Sequence, residues 1–110
     1  MMRIPMSRAA SALFRAILGR GEVARDRILL TGYRSTDWQS LTFIGERHQL
    51  GFSIPAPEAE AIALRICEGI EDAEFAIPGQ IVAEIVLVAP FSQRDDGSVT
   101  FELEALTIAE

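Results

Sequence analysis

His48 is the only histidine in this 110-residue sequence, and so the one side chain that titrates near neutral pH without a perturbing environment. General acid–base chemistry would fall to it first, with Glu46 or Asp37 as the carboxylate that orients the ring. The local pattern, however, sets a four-residue hairpin loop over Glu46-Arg47-His48-Gln49. A loop tip leaves the imidazole in water at an ordinary pKa of about 6.5, with nothing firm to hold it. An exposed, idle histidine is the expectation.

Cys67 lies one turn after Ala63 on the apolar stripe of a helix, near its C-terminus and among acids. A reactive thiolate needs a cation or a helix N-terminus beside it, so Cys67 is expected to be a core thiol with a raised pKa. Glu68, Glu71, Asp72 and Glu74 form an acid cluster with no base between them. Their spacing shares a helix face, but the alternating oxygen pattern of a calcium loop is absent, and a solvated acidic face is the simpler reading. No glycine-rich phosphate loop, zinc-ligand spacing or nucleophile elbow occurs, so neither metal nor cofactor is expected. Tyr33, Arg34 and Trp38 gather near Asp37 at what reads as the first hairpin. These are residue types that anchor binding surfaces, although either aromatic could instead lie over the sheet edge as core.

Charge and composition narrow the classes further. Residues 1–21 carry four arginines and no acid, while residues 22–110 carry sixteen acids against six arginines, for a net charge of −6. A body so acidic disfavours nucleic acid, because each phosphate contact requires a cation. All ten cations are arginine, a bias that GC-rich coding explains as well as any recognition role. One cysteine rules out an internal disulfide, and the longest unbroken apolar run, Ile85 to Phe91, is far short of the ~20 residues of a membrane-spanning helix. A cytoplasmic chain is expected.

The elements that must position these residues follow in order. Ser7 can cap a helix whose apolar side carries Leu13, Phe14, Ile17 and Leu18, with Arg8 and Arg15 on another side. Residues 1–21 therefore read as a basic amphipathic helix or arm, and residues 22–110 as a single α+β domain. Contact of this arm with a membrane surface is the rival to packing on its own domain, and packing is preferred. Three strands are expected next, over Ile28–Tyr33, Trp38–Gly45 and Leu50–Ile54, with Phe43 opposite Phe52 and Leu41 opposite Ile54. Pro57 begins the main helix, which runs to about Ile70 with Ala59, Ile62, Ala63, Ile66 and Ile70 buried.

Ile81 to Glu110 reads as a long hairpin closed by Asp95-Asp96-Gly97, a type I turn with Gly97 left-handed. That loop sets Phe91 opposite Phe101, Ala89 opposite Leu103 and Leu87 opposite Ala105. The second face of the hairpin then carries Val86 with Leu106, followed by Val82 and Ile108, which is too apolar to leave wet. The expected architecture is a mixed five-stranded sheet, in the order α-β-β-β-α-β-β, with the main helix on one face. The expected function is non-enzymatic protein association as a homodimer, with Val82, Val86, Leu106 and Ile108 buried between subunits and Leu13 and Ile17 contributing to the cover. The alternative is a small-molecule site or a minor acid–base enzyme that uses His48.

Overall fold

Ser7 opens the first helix: its Oγ accepts the Ala10 N–H at 3.1 Å, and α1 follows over Arg8–Gly19. In the computed structural model, which describes residues 6–110, the order continues β1 (Leu29–Gln39), β2 (Ile44–Ile54), α2 (Ala59–Cys67), β3 (Gln80–Gln93) and β4 (Val99–Ala109). The first five residues of the basic arm lie outside the described residues. The four strands form one sheet in the order β1-β2-β4-β3, and every neighbouring pair is antiparallel.

The fold is therefore α+β with four strands in place of the expected five, and the order is α-β-β-α-β-β. The difference lies in where the chain turns. Ser40 closes the first hairpin, donating its N–H to the Phe43 carbonyl at 2.9 Å and accepting the Phe43 N–H on Oγ at 3.1 Å. Residues 35–37 and 46–49, expected to be turns, are continuous strand, because β2 is paired on both edges, with β1 and β4. Phe43 and Leu41 do not pair with Phe52 and Ile54; both are exposed at the hairpin tip. Strands β2 and β3 point the same way, each antiparallel to β4, but β4 lies between them, so the helix-bearing crossover joins strands that never pair.

Strand alternation gives the sheet two unlike faces. One carries Leu50, Phe52, Ile54, Val99, Phe101, Leu103, Ala105 and Ile85, all buried with Leu13, Ile17, Ile62, Ala63 and Ile66 of the two helices. Aromatic contacts tie the layers together: Phe14 stacks on Phe52 at 6.0 Å, Phe52 on Phe101 at 5.1 Å, and Phe91 meets Phe101 edge-on at 5.8 Å. The stripe of α1 thus packs on its own domain. Two arginines lock the helix ends reciprocally. Arg20, at the end of α1, donates to the carbonyls of Ile66 (2.7 Å) and Glu68 (2.6 Å), while Arg65 of α2 donates to the Gly21 carbonyl at 2.9 Å. A cation on carbonyls at a helix C-terminus also complements the negative end of its dipole.

The β3–β4 turn forms as expected: Gly97 has φ +84° and donates its N–H to the Arg94 carbonyl at 2.9 Å. Near it, Ser92 faces Thr100 and Gln93 faces Val99, which is the register that the turn dictates. Irregularities further along β3 then shift the pairing, so Leu87 faces Leu103 rather than Ala105, Val86 faces Glu104, and Leu106 faces Glu84. A last shift between Val82 and Glu84 turns Val82 to the helix side, opposite Thr107.

Candidate functional site

Two places in this fold bring functional groups together, one on each face of the sheet. On the helix side, His48 occupies the middle of β2 and is completely buried. It is therefore not at a loop tip, because residues 46–49 are strand. Its Nδ1 lies 2.8 Å from Ser35 Oγ on β1 and its Nε2 lies 2.8 Å from Thr107 Oγ1 on β4. A neutral imidazole donates from one nitrogen and accepts at the other, so one hydroxyl accepts from the ring and the other donates to it. Burial pushes the His48 pKa below its ordinary value, and the nearby Glu46 carboxylate only partly opposes that.

Neither Glu46 nor Asp37 hydrogen-bonds the ring. The two carboxylates pair across β1 and β2, with Asp37 exposed and Glu46 half-buried. Both imidazole nitrogens are already occupied by hydroxyls, so the residues expected to support acid–base chemistry do not converge on it. A polar bridge of three neighbouring strands is what this arrangement does best, because a buried polar group left unpaired would be costly. Cys67 is likewise inert: burial pushes its thiol up to about 12, and the nearby Arg20 cation opposes this only in part. Among the described residues no group of three His, Cys, Asp or Glu side chains is placed to hold a metal ion.

The opposite face of the sheet is not covered by either helix. Alternation places Arg34, Thr36 and Trp38 of β1 there, with Gly45, Arg47, Gln49 and Gly51 of β2, Glu102, Glu104, Leu106 and Ile108 of β4, and Ile81, Glu84 and Val86 of β3. The glycines and the twist leave shallow depressions. One of about 370 Å³ is lined by Gly32, Arg34, Gln49, Gly51, Val88, Glu102 and Glu104, and another of about 220 Å³ by Arg47, Glu84, Val86 and Glu104. Charge is segregated across this face. The β1–β2 half presents Arg34 and Arg47 and no acid; the β4–β3 half presents Glu84, Glu102 and Glu104, with Arg94, just beyond the end of β3, in a depression shared with Glu102. Neither arginine reaches a carboxylate within ion-pair distance, the Arg65–Glu22 contact at 3.7 Å being the salt bridge formed among the described residues.

The expected binding residues are split by this geometry. Arg34 and Trp38 stand on the open face, while Tyr33 turns to the helix side and packs against the core. Of the expected interface residues, Val86 and Ile108 are half-buried on the open face, while Leu106, on the same face, is buried within the chain at 7% exposure. Val82 packs on the core side, and Leu13 and Ile17 are fully buried in the chain's own core, so these three are not available to a partner. Ser35, Thr107 and Arg47 were not legible as site residues, because each depends on pairing β2 through residues that read as a loop. Comparison with protein-family models, curated proteins and solved structures finds no match to this chain.

Proposed function

We propose that this domain is a non-enzymatic association module that works as a homo-oligomer through the open face of its sheet. The observation that carries the reading is the pair of unlike faces: one sealed by both helices, the other presenting apolar side chains between unpaired arginines and glutamates. Ile81 and Val88 remain about half exposed there, at 52% and 50%, beside the half-buried Val86 and Ile108. Each Å² of such surface withdrawn from water contributes roughly 25 cal/mol. A reducing compartment such as the cytoplasm suits a chain whose single thiol has no partner, and among the described residues no helix is long and apolar enough to cross a membrane.

The rival, an acid–base role for His48, has the Ser35–His48 hydrogen bond in its favour. Against it stand the occupied second nitrogen and the complete burial of the ring. A lowered histidine pKa is found both in functional sites and in plain burial, and desolvation is its leading cause here. The test is the mass of the full chain by light scattering over a concentration series, beside Ile81→Glu with Val88→Glu. The expected result is a concentration-dependent dimer in the wild type and a folded monomer in the variant. A wild type that stays monomeric to millimolar concentration would overturn the reading.

A further inference from the structure

Resting on that reading, we infer that the occupant of the open face is a second copy of this chain, docked face to face about a two-fold axis parallel to the strands. The charges select the axis. A two-fold along the strands lays β1 over β3 and β2 over β4 of the other copy, so the arginine half of each face meets the glutamate half of its partner. A two-fold across the strands lays β1 on β1 and β2 on β2, so arginines face arginines and glutamates face glutamates. Like charges brought together at an interface are strongly unfavourable, and only the first arrangement avoids them.

The levels along the strands agree. The cross-strand rows on this face run Trp38–Gly45–Ile108–Ile81, then Thr36–Arg47–Leu106–Glu84, then Arg34–Gln49–Glu104–Val86. The axis keeps each row level, so Arg47 comes within one row of the second copy's Glu104, and Arg34 within one row of its Glu84. One row is roughly 7 Å along the strand, within reach of an arginine side chain. In the first row Ile108 of each copy falls level with Gly45 of the other, and Trp38 with Ile81. The face also has the needed extent. Four strands, three of eleven residues and β3 of fourteen, span roughly 36 by 19 Å over their shared length, or about 700 Å², close to the roughly 800 Å² that each partner buries in a stable interface.

The test is a charge swap read by sedimentation velocity. Arg47→Glu alone and Glu104→Arg alone each place like charges together at both ends of the two-fold, and each is expected to weaken the dimer about tenfold or more. An equimolar mixture of the two is expected to restore the dimer, because every contact then joins opposite charges, and so is the double variant. Arg34→Glu with Glu84→Arg, both at exposed positions, provides a second such pair should either first variant fold poorly. A wild-type dimer that neither single change weakens, or singles that stay apart when mixed while retaining native circular dichroism, would overturn the two-fold and leave the association reading standing. A monomeric wild type would remove both.

Discussion

Gly45 and Thr107 approach so closely that a Cβ on Gly45 would lie 2.0 Å from the Thr107 carbonyl oxygen. No real side chain tolerates that separation, so the start of β2 can seat against β4 only because residue 45 is glycine. Gly45→Ala should force the two strands apart at this end, at a cost of about 1–3 kcal/mol. For a domain of this size the thermal midpoint should fall by about 4–8 °C for each kcal/mol. An unchanged midpoint would mean that the strands separate freely there, and that the close approach is not a constraint.

Thr107 also supplies one of the two hydroxyls on His48, and the two are not equivalent. Thr107 is completely buried and no water can take its place, whereas Ser35 is half-exposed. Thr107→Val keeps the shape but strands a ring nitrogen, which should cost about 1–3 kcal/mol. Ser35→Ala should cost about 0.5–1.5 kcal/mol, the ordinary worth of a replaceable hydrogen bond. Urea denaturation of both variants gives the order. Equal losses would show that the two ends of the bridge see the same solvent.

Cys67 offers a check on the core from chemistry rather than stability. With its thiol pushed up to about 12, almost none is thiolate at pH 8. The native chain should react with a disulfide reagent far more slowly than the urea-unfolded chain, whose cysteine titrates at about 8.5. Native and unfolded rates within a factor of two would mean that the α2 stripe opens readily.

How much of this was legible in the sequence depends on which interactions are local. The Ser7 cap, the α1 stripe, the Gly97 turn and the buried stripe Ala59, Ile62, Ala63 and Ile66 of α2 are set by residues within a few positions of one another, and formed as the pattern predicts. The helix α2 itself is shorter than expected, Ala59–Cys67 rather than Pro57 to about Ile70, because left-handed Glu58 and Gly69 bound it. The five-stranded sheet failed because Ser35-Thr36-Asp37 and Glu46–Gln49 are polar enough to pass for turns. Pairing across the sheet, which no local pattern reports, holds both as strand. That error hid His48 among loop residues and kept Ser35 and Thr107 from view. The final hairpin shows the same limit: the turn sets the register only near itself, and irregularities in β3 then move Val82 from the outer face to the inner one.

The buried imidazole makes stability depend on pH in a window of its own. Burial holds the folded His48 pKa below its ordinary 6.5, while the unfolded chain titrates near that value. Above 6.5 neither state binds the proton, and the full stability is present. As pH falls below 6.5 the unfolded state takes up a proton that the folded state refuses, so stability declines, with a slope of at most about 1.4 kcal/mol per pH unit. The decline ends once pH passes the folded pKa, where both states carry the proton. Asp96 acts lower: hydrogen bonds from the Ser98 hydroxyl and backbone N–H hold its carboxyl below 3.8, so its contribution is lost only at more acidic pH. Between about pH 4 and 6.5, then, the difference between wild type and His48→Gln isolates the imidazole. Urea midpoints should fall from pH 7.5 to pH 5 in the wild type more steeply than in the variant, and the variant's absolute stability does not matter to the comparison. Parallel pH profiles would show that His48 titrates alike in both states, as an exposed ring would, and that its place between Ser35 and Thr107 is open to water.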